Sequence, residues 1–262
     1  MDMSKLAIVA AMEREVAPLI RGWDVRHIEH GGRHYRLFES HAGEYGGTVL
    51  ICGGIGAEAA RRATEAVIQQ SHPDRVLSVG FAGALDATTK IADVLEPHTV
   101  INAADGARIQ TVTVLEPMES GQMASGKETL VSYAAVSDRD QKQRLAKSYG
   151  AVAVDMEAAS VAQGAQARGI EFAALKAISD AADFDMPPVE RFVSGDGQFH
   201  SARFALHVAM RPWLWGRTVA LARNSARASK SLCAAIESYI RRESFAADLN
   251  QNTFSPDLAG RA

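Results

Sequence analysis

The sequence predicts an α/β protein built on a central, largely parallel sheet. Short apolar runs of β type alternate along the chain with longer helical patterns. The runs are continuously apolar rather than alternating, the mark of strands covered on both faces. With 262 residues, 47% hydrophobic and 23% charged, the chain also has the profile of one globular domain with a sizeable core.

The first strand is expected over Leu6–Met12 (LAIVAAM). Residues 25 to 50 alternate more and are broken at Gly31-Gly32 and Gly46-Gly47, which predicts an antiparallel hairpin attached to the sheet. Further strands follow at 48–54 (TVLICGG), 75–80 (RVLSVG), 151–156 (AVAVDM) and 172–179 (FAALKAIS). Helical patterns cover Ala57–Gln70, Arg139–Lys147 and Glu157–Arg168, the last closed by Gly169 just past its end. No internal repeat or low-complexity linker interrupts this order.

The C-terminal part differs. From Ser201 to Glu243 there are eight Arg or Lys against two Glu, a local +6 in a chain whose total is −3. The same stretch carries Trp213, Leu214 and Trp215, and Pro212 is placed to start a second helix. One reading is a helical pair whose apolar face packs on the core. The other is a basic amphipathic segment, 201–243, that meets a membrane surface or an apolar substrate. Beyond Phe245 the sequence turns polar, and a flexible tail is expected over 246–262.

A net charge of −3 and a pI near 6.2 lack the basic footprint of a nucleic-acid binder, so small-molecule chemistry is expected. Cys52 and Cys233 are too few for a disulfide framework or a cysteine-rich metal site, which suits a reducing, cytoplasmic setting. The apolar stretch Leu6–Met12 is too short for the core of an export signal, and nothing later approaches the roughly 18 apolar residues of a membrane span.

Gly54-Ile55-Gly56-Ala57-Glu58-Ala59 follows a strand, opens a helix and fits the dinucleotide fingerprint. A ribose-binding acid should follow about 20 residues on. The chain there reads Leu77-Ser78-Val79-Gly80, so a tight turn with close helix packing is the better reading. His27, His30 and His34 have metal-like spacing only on a helix, which Gly31-Gly32 forbids, so solvated or structural histidines are expected. No cofactor and no metal are expected.

What remains is acid at strand ends: Glu15 past the first strand, Asp155 and Glu157 at the end of AVAVDM, and Asp180 after FAALKAIS. Each has a plain structural reading as a helix-dipole partner, a cap or a solvated position. Open α/β sheets, however, bind ligands outside the carboxyl ends of their strands, so the acids could meet in one crevice.

Four segments resemble the nucleoside phosphorylase and nucleosidase superfamily, and within it the 5′-methylthioadenosine/S-adenosylhomocysteine nucleosidases. They are Ala11-Met12-Glu13-Arg14-Glu15-Val16, Gly53-Gly54-Ile55-Gly56, Gly80-Phe81-Ala82-Gly83-Ala84-Leu85, and Val154-Asp155-Met156-Glu157-Ala158 paired with Ile178-Ser179-Asp180-Ala181-Ala182-Asp183. The resemblance implies a three-layer αβα sandwich, a homodimer, and cleavage of the bond between purine and ribose. It implies a catalytic domain over 1–195 and a helical extension over 196–245 packed on it. By carry-over, Asp180 is the general acid at purine N7 and Glu15 activates the attacking water. Glu157 binds the ribose hydroxyls, Met156 lines the sugar, and the backbone of Ala82-Gly83 faces the ribose or nucleophile. Ser179 joins the site beside Asp180, and Ala135 and Val136 are candidates for backbone contacts to the purine.

The residue types suit that chemistry. Adenine is a poor leaving anion, so a carboxylic acid that protonates its ring removes the charge that would build up. Burial of Asp180 beside an apolar strand would favour its protonated form. The sugar becomes oxocarbenium-like, so carboxylates near it are favourable. Glu-Arg-Glu at 13–15 also argues for water over phosphate as acceptor, unless Arg14 turns inward.

Phe81 stands where those enzymes carry a small hydroxyl residue, and Asp155 where they carry Glu. These departures and the basic, Trp-bearing C-terminal part resemble the hopanoid-associated branch, which removes adenine from adenosylhopane. The alternatives are a phosphate-dependent phosphorylase and a non-catalytic nucleoside binder on the same scaffold. A dinucleotide oxidoreductase would need NAD or FAD to bind.

Overall fold

The computed structural model describes residues 5–40, 47–112 and 128–252, with side chains through 242. Its strands are β1 (Leu6–Ala10), β2 (Asp24–His30), β3 (Arg33–Glu39), β4 (Val49–Cys52), β5 (Arg75–Ala84), β6 (Val94–Leu95), β7 (Thr99–Asn102), β8 (Arg108–Gln110), β9 (Thr129–Ser132), β10 (Ala153–Asp155) and β11 (Glu171–Asp180). The helices are α1 (Glu13–Val16), α2 (Ala57–Ser71), α3 (Arg139–Tyr149), α4 (Ala158–Gln166), α5 (Ser201–Ala209) and α6 (Pro212–Asn252). A short 3-10 turn spans Val189–Phe192.

One mixed sheet runs β2-β3-β4-β1-β5-β10-β9-β7-β8, with β11 on the other side of β5 and β6 beyond it. The neighbours β4, β1, β5 and β11 are parallel, as are β10, β9 and β7. The predicted hairpin is β2–β3, turning through Gly31 and Gly32 at φ +56° and +73°. That two-residue turn needs the positive φ which glycine adopts without a Cβ clash. Gly46, part of the second predicted break, lies outside the described residues.

The central strands are buried almost throughout, successive residues packing on alternate faces. Ala7, Val9, Val76, Phe172 and Ala174 pack beneath α2 and α4. Leu6, Ile8, Leu77, Leu175 and Ala177 pack against α6 on the opposite face. The fold is thus the three-layer αβα sandwich with a C-terminal helical extension. Helix α2 turns Ala59, Ala60, Ala63, Ala66 and Val67 inward at helical spacing. Asp138 caps α3, its Oδ1 accepting from the Gln141 amide at 2.8 Å, and Gly150 at φ +61° ends it. Helix α6 begins at Pro212 as expected and seats Leu232, Ile236, Tyr239 and Ile240 on the sheet. Its backbone is helical to Asn252, and 253–262 lie outside the described residues.

Several boundaries differ from the sequence reading: β4 covers only Val49–Cys52 of the expected 48–54, and β5 continues past Gly80 to Ala84. The first strand ends at Ala10, not Met12, because the Met12 amide donates to Glu15 Oε2 at 3.1 Å and Met12 O accepts from the Glu15 amide at 3.0 Å, closing a helical turn. Strand β10 holds only three residues of the predicted six. Strands β6 to β9 went unforeseen, each holding at most two consecutive apolar residues where β4 and β10 lie in longer apolar runs.

Ile236→Ala, which empties a fully buried site between α6 and the sheet, should cost about 2–5 kcal/mol in chemical denaturation. Leu206→Ala on the exposed side of α5 should stay within about 0.5 kcal/mol.

Candidate active site

A cavity of about 640 Å³ opens where the parallel strands end, walled on one side by the sheet and on the other by α5 and α6. Strand β1 delivers Ala11, Met12 and Glu15, β5 delivers Phe81, Ala82 and Gly83, and β11 delivers Ser179 and Asp180. Because β10 runs antiparallel to β5, pairing Val154 with Gly83, the chain after it doubles back along β5 and brings Met156 and Glu157 to the same wall. A bulge in β11 shifts the register between Ile178, opposite Ala82, and Asp180, opposite Gly83. This is why the consecutive residues Ser179 and Asp180 both reach the cavity, where a regular strand would send them to opposite faces.

Glu15 is buried, its Oε2 held by the Met12 amide. Burial pushes its carboxyl above the usual range, against the opposing pull of the Met12 amide, Lys176, Arg14 and the Phe81 amide. Glu157 turns away from its own helix, and its Oε1 accepts from the Gly56 amide at 2.8 Å. Burial first, then the neighbouring Asp155 carboxylate, raise Glu157 to about 7. The dinucleotide-like glycine loop thus spends an amide at the start of α2 on the protein's own carboxylate.

Asp155 is engaged on both oxygens. Its Oδ1 accepts from Ser132 Oγ at 2.5 Å, and its Oδ2 caps α4 through the Ala158 amide at 2.9 Å. The same Oδ2 lies 2.9 Å from Nζ of Lys176, which is fully buried in the middle of β11 and also donates to Ser78 Oγ at 3.1 Å. Burial alone would lower the Lys176 ammonium, but Asp155, Glu157 and Glu15 outweigh it and raise it.

Asp180 departs from expectation. Its neighbourhood is not simply apolar, because Nζ of Lys142 donates to its Oδ2 and, at 2.7 Å, to Ala181 O. Oδ1 accepts from Ser179 Oγ at 2.7 Å. Both members of the Lys142–Asp180 pair are buried. Gly83 leaves room for them, since a Cβ there would fall 2.7 Å from Asp180 Oδ2 and 3.1 Å from Lys142 Cε.

The other end of the cavity is apolar, formed by Met186, Val189, Val193, Phe199, Phe204 and Leu221. Arg14 lies at this rim with its guanidinium over the Phe199 ring, 5.2 Å from the centroid. The outer side of α5 presents Leu206 and Met210, each 63% exposed, next to Trp213 at 72%. Trp215 ties the two helices together through Nε1 to Val208 O at 2.9 Å. So the C-terminal part follows neither sequence reading alone: the later turns of α6 pack on the sheet, while α5 and the first turns of α6 wall the cavity and expose an apolar stripe. No helix among the described residues is long and apolar enough to cross a membrane.

Every sequence-nominated site residue lines this one cavity: Asp180, Glu15, Glu157, Met156, Ser179, Ala82, Gly83, Ala135 and Val136. His27 and His34 stand exposed on the hairpin, away from it. Sequence reading missed Lys142, Lys176 and Ser137. Lys176 interrupts an otherwise apolar strand, and Lys142 takes the inward phase of α3 with Leu145, so both carried a legible signal. Ser137 carried none; its buried hydroxyl lines the cavity and lacks a partner among the described residues.

The sequence model of the phosphorylase superfamily matches residues 5–134 and 116–202. The 5′-methylthioadenosine/S-adenosylhomocysteine nucleosidase of Actinobacillus succinogenes is 31% identical over 204 residues, covering 68% of this chain and 86% of that protein. The enzyme of the same name from Glaesserella parasuis is 28% identical over 205 residues, with 68% and 86% covered. Among solved structures, the Neisseria meningitidis nucleosidase of that name, in complex with methylthio-immucillin-A, superposes with a TM-score of 0.67 at 18% identity, covering 93% of this chain and 99% of that one, a likeness of fold. On the family match and the relative above 30% identity, the chain belongs to the phosphorylase superfamily, alongside the 5′-methylthioadenosine/S-adenosylhomocysteine nucleosidases.

Proposed function

We propose that this chain is a nucleosidase that hydrolyses the N-glycosidic bond of a 5′-modified adenosine and releases adenine. The observation that carries the reading is the meeting of Glu15, Glu157 and Asp180, far apart in sequence, on the wall of one cavity. In this reading Asp180 passes a proton to purine N7 as the bond to the sugar stretches, and the Ser137 hydroxyl and the Val136 backbone face the base. Glu157 accepts from the ribose hydroxyls, and its charge, with that of Glu15, favours the oxocarbenium-like sugar. Glu15 takes the proton of the attacking water. A base raised toward neutrality by burial is suited to that role, because it still binds a proton when water must give one up.

Water is favoured over phosphate by the charges already committed. Lys142 and Lys176 are engaged by Asp180 and Asp155, and Arg14 is stacked on Phe199, so a phosphate dianion would face carboxylates. The apolar end supports an apolar 5′ substituent, with adenosylhopane as the test compound. Phe204 and Leu221, which form part of this end, lie past residue 202, where the family match stops, so the wall can set a specificity of its own. The exposed stripe of Leu206, Met210 and Trp213, among Arg203, Arg211 and Arg217, supports a peripheral contact with an anionic lipid surface. The homodimer belongs to the same proposal, and light scattering reads it.

Adenine should appear from methylthioadenosine or adenosylhopane at equal rates with and without phosphate, followed by chromatography of the products. Asp180→Asn should slow release by about 10²–10⁴-fold with the fold intact by circular dichroism. An unchanged rate removes Asp180 from the mechanism.

With Glu157 titrating at about 7, the group is neutral below that pH and charged above it. The reading requires the charged form, so kcat/KM should rise with pH and level off above about 7; Glu157→Gln should be slow, and any rising limb it keeps belongs to Glu15, whose carboxyl burial also raises. A profile already flat from pH 5 would contradict the assignment.

At the apolar end, Phe204→Ser should raise KM for adenosylhopane by about tenfold, the equivalent of about 1.4 kcal/mol, and leave adenosine nearly unchanged. Trp213→Ser should weaken flotation with anionic vesicles. Equal effects on both nucleosides would argue that this wall does not touch the 5′ group.

A further inference from the structure

The Lys142–Asp180 pair is expensive as architecture. Two charges are taken out of water, and one of them is a cation in the first turn of α3, where the helix dipole opposes it. A leucine at that inward position would pack beside Leu145 without either penalty. The ammonium nevertheless lies on the cavity wall, held by Asp180 Oδ2 and Ala181 O, with Gly83 cut back to let it in. Asp180 accepts on both oxygens, from Lys142 on one and Ser179 on the other, so a proton that leaves it toward the cavity can be replaced directly from Nζ.

Resting on the nucleosidase reading, we propose that Lys142 is a positioning residue that stores the proton Asp180 delivers to the leaving purine. As the C1′–N9 bond breaks, its electron pair goes to the base. Asp180 gives a proton to N7 and takes one from Lys142 Nζ, so adenine leaves neutral and Lys142 is left as the free amine. Water forms the new C1′–O bond and passes its proton to Glu15. After adenine departs, Glu15 returns that proton to solvent and Lys142 takes one back, closing the cycle without any other reactant. Lys176, of the same charge, has no part in this relay, because Asp155 and Ser78 hold it on the sugar side.

A residue that works only through an acid must matter only when the leaving group needs a proton, and only while the acid is present. The wild type, Lys142→Met, Asp180→Asn and the double variant are compared on methylthioadenosine and on the p-nitrophenyl glycoside of the same sugar, whose leaving group departs as a stable anion. Lys142→Met should lower kcat on methylthioadenosine by about 100-fold with KM within about threefold, and leave nitrophenol release within about threefold. In the Asp180→Asn background it should add less than about threefold. Equal losses on both substrates, or losses that multiply in the double variant, would reduce Lys142 to a packing element and overturn the inference. Should Lys142→Met fail to fold, Lys142→Gln, which keeps a donor toward Asp180 but no transferable proton, faces the same two outcomes. A wild type that releases nitrophenol but no adenine overturns the proton store while leaving glycosidic cleavage standing; one that releases neither sinks the nucleosidase reading itself.

Discussion

The buried Lys176–Asp155 pair is the constraint around which the site is organised. A lysine in the centre of β11 can stay charged only with a carboxylate beside it, and Asp155 supplies one at 2.9 Å while capping α4 and accepting from Ser132. This one anchor joins β11, β10, β9 and α4. It also provides a positive charge that pulls the carboxyls of Glu15 and Glu157 down against the burial that raises both. Removing the lysine would leave Asp155, Glu15 and Glu157 in a low-dielectric pocket without the ammonium they share, offset only by Arg14 near Glu15 and by hydrogen bonds from the surrounding amides and Ser132.

The sheet then turns proximity into geometry. Parallel β1, β5 and β11 end at one edge, and the antiparallel course of β10 returns Met156 and Glu157 to that edge. The bulge before Asp180 aims two consecutive side chains the same way. The two ends of the cavity differ in chemistry because they come from different layers: charged groups from strand termini, apolar ones from the 3-10 turn, α5 and α6. Such a division matches a ligand whose reacting atoms are polar and whose far end is not.

Much of this was legible in the sequence. Continuous apolar runs gave the buried strands, because a strand covered on both faces has no solvent side to mark. Acid at strand ends gave the carboxyl members of the site, because nothing in a plain turn calls for Glu15, Glu157 and Asp180 together. The cations were harder: Lys142 and Lys176 look like surface residues by type, and only their phase within an inward face or an apolar strand betrays them. Their partners, Asp180 and Asp155, lie 38 and 21 residues away in the chain, a pairing that folding creates and no local pattern encodes. Strands β6 to β9 were illegible because each holds at most two consecutive apolar residues, without the longer runs that mark β4 and β10, and the Ser179 bulge because it depends on the register against β5.

The central claim is that three carboxyl groups act on one nucleoside, and a crystal structure with a hydrolysis-resistant 5′-alkylthio adenosine analogue tests it most directly. The account predicts Glu157 within hydrogen-bonding distance of the ribose hydroxyls, Asp180 at purine N7, an ordered water between Glu15 and C1′, and the alkyl group against Phe204. An analogue bound in this cavity with its sugar away from Glu15 and Glu157, or bound elsewhere on the chain, would contradict it.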